Sequence, residues 1–416
     1  METRRQPALS PPPPPRPDGV VRAHPDDPTR QEAFLPAPAV QNHAANLAML
    51  PDGDLGCVWF AGTQEGVPDI SAYFSRLSSD DVWSEPVRLS DDATRSEQNP
   101  LLFVAPSGAL WLLYTAQLAG NQDTAEVRTR ISDDSGRTWG PVRTLFPATE
   151  RGGVFVRQPV TVLPGGRWLL PVFHCVATPG VPWVGDHDTS AVMISDDEGR
   201  TWTERAVPGS TGCVHMNIHP LADGTLLALY RSRWADHVHV SRSEDGGESW
   251  SEPEPGELPN NNSSVQYVPL ADGRLALVLN HSSAADATAR RVSLYDEIDD
   301  EGLASDGPAG NTPVPQAQFT AADGGTTGVR TAFWGAPRAP LTLALSADGG
   351  RTWPVRRDLE TGDGHCLTNN SRDRLNREFS YPTILQGADG TLHIAYTYWR
   401  QAIKYVRVAP DWAADV

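Results

Sequence analysis

Apolar and polar positions along this chain fall into one recurring pattern. A short extended run meets a tight turn, and a second, apolar run follows. The first copies read "NHAANLAMLPDGDLGCVWF" from Asn42, "QNPLLFVAPSGALWLLY" from Gln98 and "RQPVTVLPGGRWLLPVFH" from Arg157. Three more read "HMNIHPLADGTLLALY" from His215, "SSVQYVPLADGRLALVL" from Ser263 and "SYPTILQGADGTLHIAY" from Ser380. Asp-Gly between two apolar runs is a strong short-range hairpin signal, so each copy predicts two antiparallel strands.

A second pattern interleaves with the first. The spacing S-x-D-x-G-x-[TS]-W occurs at Ser132–Trp139, Ser195–Trp202, Ser243–Trp250 and Ser346–Trp353, with a degenerate fifth copy ending at Trp83. Each copy follows a β-like run. The box predicts a hairpin turn in which Ser and Asp accept backbone N–H groups and Gly supplies a positive φ. The Trp packs back over the turn.

Together the two patterns give a unit of strand, Asp-Gly turn, strand, loop, strand, boxed turn, strand. Four-stranded units repeated around an axis make a β-propeller. Six units are countable, so the predicted fold is all-β, a six-bladed β-propeller of four-stranded antiparallel blades. The fifth unit is interrupted by a long insert around 284–340, rich in Ala, Gly, Asp and Thr, where a seventh blade has room. Residues 1–31 contain five consecutive prolines and no apolar run, so they are expected to form a disordered tail before a propeller over 32–416.

Composition narrows the functional classes. The formal net charge is −18, which argues against nucleic acid as a partner. An anionic substrate therefore needs a local basic pocket. No 18-residue apolar segment is present, so no membrane span is expected. The start lacks a secretory apolar region, so a cytoplasmic location is expected, with non-classical export left open. Cys57, Cys175, Cys213 and Cys366 are scattered without metal spacing and read as core residues. No cofactor and no metal site are expected, and the oligomeric state is not readable.

Topology then separates scaffold from chemistry. The Asp-Gly turn lies at the far end of each innermost strand. The second strand returns and the third leaves again, so boxed turns share that far face. The opposite face gathers first-strand starts and second-strand ends. Its first-strand residues are Asn42 and His43, Gln98 and Asn99, Arg157 and Gln158, His215 and Asn217, Asn261 and Asn262, and Ser380 and Tyr381. Second-strand ends contribute His174, Arg231, Arg233, Asn280, His281, Trp399 and Arg400. Polar groups converging from six blades predict a pocket for a polar small molecule or sugar. Trp399, Trp183 and Trp234 are candidates to stack on a sugar ring.

With its boxes and its last-blade segment "FSYPTIL", the chain resembles the sialidase (neuraminidase) superfamily from about Glu32 onward. The resemblance implies an exo-acting, carbohydrate-active enzyme of hydrolase type on a glycan with a terminal acidic sugar. It implies Tyr381 as nucleophile polarised by Glu378, and Arg157, Arg231 and Arg400 as binders of the sugar carboxylate. Asn42, Asn99, Gln158 and His215 complete the expected substrate contacts. The first blade departs from that family: "NHAANLAMLPDG" stands where Arg-Ile-Pro precedes the first turn, and no Asp is assigned as acid.

His43 points to a second chemistry. The chain is also similar to propellers that act as rhamnose–glucuronate lyases. Elimination needs a base beside a carboxylate and a cation to neutralise it. His43 is then the expected base, Arg157 the neutraliser and Tyr381 a helper. A third expectation, from a different class, is a glycan-binding propeller without catalysis.

Overall fold

Strand-forming residues alternate with turn residues along almost the whole chain, and the structure follows that alternation. A computed structural model describes residues 16–120, 122–291, 294–295, 297–298, 312–313, 330–368 and 371–414. Six sheets are arranged around an axis. Blade 1 comprises Gln41–Met49, Leu55–Gly62, Ser71–Leu77 and Val87–Arg88, and blade 2 Arg95–Val104, Leu110–Leu118, Glu126–Ser132 and Arg143–Phe146. In blade 3 the inner strand is broken into Gly152–Val156 and Thr161–Val162, followed by Trp168–Val176, Thr189–Ser195 and Thr203–Ala206. Blade 4 runs through Cys213–Pro220, Leu226–Ser232, His237–Ser243 and Glu254–Pro259. Blade 5 uses Gln266–Pro269, Leu275–Asn280, Leu341–Ser346 and Val355–Glu360.

Blade 6 takes Phe379–Gln386, Leu392–Tyr398 and Ala402–Val408, and its outer strands come from the other end of the chain. Asp27–Phe34 pairs with Ala402–Val408 through Gln31↔Arg407, and Arg22–His24 pairs with Asp27–Phe34. The expected boundary at residue 31/32 therefore falls inside a strand, and the propeller takes residues assigned to a tail. The proline run lies outside the described residues. The insert leaves blade 5 between its second and third strands. Among the described residues it adds one two-stranded ribbon, Ala289–Arg290 with Thr312–Pro313, and no further blade.

Apolar side chains fill the seams between blades. Leu227 and Leu229 of blade 4 meet Tyr267 and Leu277 of blade 5. Leu47 and Trp59 of blade 1 meet Ala395 and Tyr405 of blade 6. Nearer the axis, polar side chains cross every junction. Asn46 accepts from Leu102 N–H, Thr115 from Val156 N–H, Asn217 from Tyr267 N–H, Gln266 from Ile384 N–H and Thr383 from Leu47 N–H. Thr161 closes the sixth junction by donating to Ile218 O. Inner strands this close to one axis leave backbone N–H groups without a ladder partner, and these side chains supply one.

The boxed turns fold alike. In the first, Gly136 N–H donates to Ser132 Oγ at 2.8 Å, Thr138 N–H to Asp134 Oδ1 at 2.8 Å, and Trp139 Nε1–H to Gly136 O at 3.2 Å. Gly136 has φ 83°, the left-handed region glycine tolerates. The Thr138 hydroxyl and backbone hold the Asp134 carboxyl down at about 2. In the degenerate copy Ser78 still donates to Asp80 at 2.8 Å, and Asp81 at φ 59° matches Ser135 of the first box, also at φ 59°, with no glycine after it. Arg76 bridges Asp52 of an Asp-Gly turn and Ser135 O of a box, which puts both turn types on one face.

Candidate active site

The inner strands reach the opposite face through a repeated irregularity. Register slips between His43 and Asn46, Gln98 and Leu101, Val214 and Asn217, and Ser380 and Thr383. At each slip a non-glycine residue takes left-handed backbone: Ala44 at φ 60°, Asn99 at 48°, His215 at 55° and Tyr381 at 51°. Asn262, ahead of the inner strand of blade 5, does the same at 57°. Bulges of this kind re-aim side chains, and such strain persists only where the surroundings over-determine it.

Tyr381 is the hub. Its hydroxyl accepts a 2.6 Å hydrogen bond from Arg231, whose Nε donates to Asn262 Oδ1 at 2.7 Å. The His43 ring lies 4.3 Å from the Tyr381 ring centre, and the His215 ring meets it edge-on at 5.6 Å. The guanidinium carbons of Arg157, Arg231 and Arg338 stand 5.2, 5.6 and 5.6 Å from the same centre. His43 is wholly buried and Tyr381 is 6% exposed. His43, Arg157 and Tyr381 therefore converge, as their strand positions predict.

Electrostatics divide this cluster. Arg400 pairs with Glu65 at 2.6 Å and with Glu378 at 2.8 Å, Arg338 with Glu378 at 3.2 Å, and Arg233 with Asp188 at 2.6 Å. Arg157 and Arg231 have no carboxylate among the described residues. Burial pulls them down, Arg157 to about 10 and Arg231 to about 9. Burial, then the charges of Arg400, Arg338, Arg157 and Arg231, holds His43 well below the usual histidine range. His215 is held down by burial, then by Arg231, Arg233, Arg157 and Arg338. Burial alone would raise Glu378, but Arg338 and Arg400 overcome it and keep the carboxyl below its ordinary value. The centre thus holds cationic excess beside neutral imidazoles, an arrangement suited to an anion.

Several expected contacts have other tasks. Arg157 donates to Ala45 O, Tyr381 O, Pro382 O and Ser264 Oγ, tying three blades at the axis. Its guanidinium is taken up largely by backbone carbonyls, whereas Arg231 is the cation hydrogen-bonded to the phenol oxygen. Asn42 donates to Ala39 O and Gln401 O and accepts from Trp59 Nε1. Gln158 donates to Val265 O and accepts from Gln266. Glu378 serves Arg338, Arg400 and Ser380 and makes no hydrogen bond to the Tyr381 hydroxyl. Arg400 is neutralised on both sides. His174 faces Glu204 at 3.3 Å, and Asn280 donates to Phe379 O. Asn99 holds its bulge and makes no side-chain hydrogen bond among the described residues.

Other residues join the centre without having been expected. Arg338, inside "FWGAPRAP", precedes a third strand and so reaches the pocket face. Its position at a strand start was the available signal, hidden by the insert around it. Trp334 of the same segment lies under Arg231 and Arg233, and it is met at 6.2 Å by Trp183, one of the expected stacking candidates, which donates to Asp188. The Tyr295 hydroxyl takes a 2.7 Å hydrogen bond from Gln122. The insert therefore closes over the cluster with aromatic side chains. Among the described residues no group of three His, Cys, Asp or Glu side chains is arranged to hold a metal ion.

Residues 53–394 match the BNR repeat-like domain family. No curated protein matches the sequence. Among solved structures, the chain is similar to the Hadza microbial sialidase Hz136 at 14% identity and TM-score 0.61, over 90% of this chain and 66% of that one. It is similar to a protein of unknown function from Dyadobacter fermentans DSM 18053 at 14% identity and TM-score 0.63, over 91% of this chain and 99% of that one. It is also similar to the Trypanosoma rangeli sialidase in complex with 2,3-difluorosialic acid, at 14% identity and TM-score 0.58, over 94% and 56%. The chain thus spans less than two thirds of the length of that sialidase and about two thirds of Hz136. At these identities the likeness is one of fold.

Proposed function

The chain belongs to the BNR repeat-like domain family, and from that premise we propose that it is an exo-acting enzyme cleaving a terminal acidic sugar, sialic or uronic, from a glycan. One observation carries the reading. Arg231 is buried, has no carboxylate partner among the described residues, and donates to the Tyr381 hydroxyl at 2.6 Å. A buried unpaired guanidinium is costly, and a substrate carboxylate would supply the missing partner. The same guanidinium stabilises negative charge developing on the phenolic oxygen. The sialidase-like fold is compatible with this substrate class.

In the hydrolytic form, the Tyr381 oxygen attacks the anomeric carbon, the glycosidic oxygen departs with the bonding pair and a proton, and water later releases the sugar. A second form, elimination, is favoured by one specific contact pattern. Arg231 faces the Tyr381 hydroxyl and stabilises a phenolate, the form that serves as a base, whereas Glu378 is committed to two arginines and does not polarise the phenol as the hydrolytic form expects. In that form Tyr381 acts as the phenolate, its own proton having passed to solvent and the Arg231 guanidinium stabilising the charge. Its oxygen takes the proton beside the uronate carboxylate, which Arg231 also neutralises, and hands it to the departing glycosidic oxygen. The C–H pair becomes a C=C bond as the glycosidic oxygen leaves.

The test uses a fluorogenic sialoside and an oligosaccharide ending in glucuronate. Released sialic acid supports hydrolysis, and rising ultraviolet absorbance of an unsaturated uronate supports elimination. Either activity should vanish in Tyr381→Phe with the melting temperature retained. Glycan binding without cleavage, unchanged by Tyr381→Phe, would overturn the enzymatic reading.

A further inference from the structure

The partners of one buried hydroxyl decide where a proton sits on His43. His43 Nδ1 lies 2.8 Å from Thr397 Oγ1. The same oxygen accepts the Ala44 N–H at 3.1 Å, a bond made possible by the left-handed backbone of Ala44 at the blade 1 bulge. A hydroxyl has one proton to donate. Among the described residues, the acceptor within reach of the Thr397 proton is His43 Nδ1. Were His43 protonated there, the Thr397 proton would be buried without an acceptor. Glu378 Oε1 stands 3.9 Å from Nδ1, beyond hydrogen-bonding distance. On the other side of the ring, Nε2 is buried beside Tyr381 and has no hydrogen-bond partner among the described residues.

We infer that Thr397 locks His43 as the Nε2–H tautomer, so that His43 meets the substrate as a hydrogen-bond donor and not as a base. The donor role rests on the acidic-sugar reading above; the tautomer does not. Burial and the surrounding guanidinium groups of Arg400, Arg338, Arg157 and Arg231 keep the ring neutral. A neutral imidazole N–H polarises a substrate oxygen without adding a charge to a site already rich in cations. The base or nucleophile role then falls to Tyr381, and the bulge acquires a chemical purpose. It brings the Ala44 N–H onto one lone pair of Thr397 and leaves the hydroxyl proton for His43. Thr397 is a positioning residue, since it acts through His43.

The lock is read directly by nitrogen-15 NMR of histidine-labelled protein without substrate. The expected spectrum shows a proton bonded to His43 Nε2 and an unprotonated Nδ1 at neutral pH. Thr397→Val keeps the shape and removes the donor. It should move the proton to Nδ1 and lower kcat by roughly 10²- to 10³-fold, the size of losing one preorganised donor, with KM little changed. Thr397→Ser should restore both the tautomer and the rate. His43→Gln, whose amide reaches the Nε2 position, should keep more activity than His43→Asn. An Nδ1–H tautomer in the unaltered protein, or a Thr397→Val protein with tautomer and kcat unchanged, would overturn the inference. If Thr397→Val does not fold, the spectrum of the unaltered protein still decides. A protein inactive on every acidic glycan that nonetheless shows the Thr397-dependent Nε2–H tautomer would overturn the proposed function and support the lock.

Discussion

On one face of the propeller, four copies of one turn repeat the same Ser–Asp, Gly–Ser and Thr/Ser–Asp hydrogen bonds. On the other, the left-handed position of each bulged inner strand carries a different residue, Ala44 in blade 1, Asn99 in blade 2, His215 in blade 4 and Tyr381 in blade 6, and blade 1 delivers His43 from the position before it. The boxed turn satisfies itself within eight residues, so any blade can carry it. The pocket groups depend on partners from other blades, as Arg231 of blade 4 does on Tyr381 of blade 6. Repetition therefore reports architecture, and departure from repetition reports chemistry.

Substitutions on each face can break that division. The largest expected effect is on stability. Trp250→Ala removes a box side chain only 5% exposed and should cost about 3–5 kcal/mol in denaturant unfolding. Its kcat/KM should be unchanged while the protein is folded; a changed value would break the division. Arg231→Met makes the reverse case. Activity should fall by roughly 10²- to 10³-fold, while the melting temperature holds or rises because an unpaired buried cation is gone. Between the faces, Asn46→Ala leaves the Leu102 N–H without its acceptor at one junction. That should cost about 1–3 kcal/mol and move kcat little.

The smallest effect is a pH dependence with two opposed limbs. His43 and His215 stay neutral in the fold, whereas the unfolded chain binds protons on them below about 6.5. Stability should therefore fall as pH drops below that value, and His43→Gln should flatten the fall. Glu97 is pushed up to about 7 by burial. It holds its proton in the fold where the unfolded chain has lost it, so its contribution declines as pH rises from about 4.5 through 7. Glu97→Gln should remove that decline in a melting-temperature series.

Box, hairpin turn and blade count were legible because each is a local pattern repeated many times. The closing strand was not. In "DPTRQEAF" the positions facing inward include Arg30, which is buried against Glu360, with Glu32 and Lys404 beside it. An ion cluster in place of an apolar face erases the alternation that marks a strand. In the site, strand position located His43, Tyr381, His215 and Arg231. It could not distinguish a free side chain from one saturated by carbonyls, because carbonyls leave no trace in residue identity. Arg157, Asn42 and Gln158 fall on that blind side. Arg338 was obscured by the length of the insert before it.

The sixth blade adds a constraint of timing. Gln31 hydrogen-bonds Arg407 across a sequence separation of 376 residues. The early strand is synthesised long before Ala402–Val408, and although Arg22–His24 can pair with one of its edges at once, the other edge stays unpaired until the last blade exists. Ring closure is then the most non-local step of folding, and slow non-local pairing leaves strand edges open to other chains. The polar, charged face of Asp27–Phe34 suits that wait: a strand rich in charge is a poor template for aggregation while five blades assemble ahead of it.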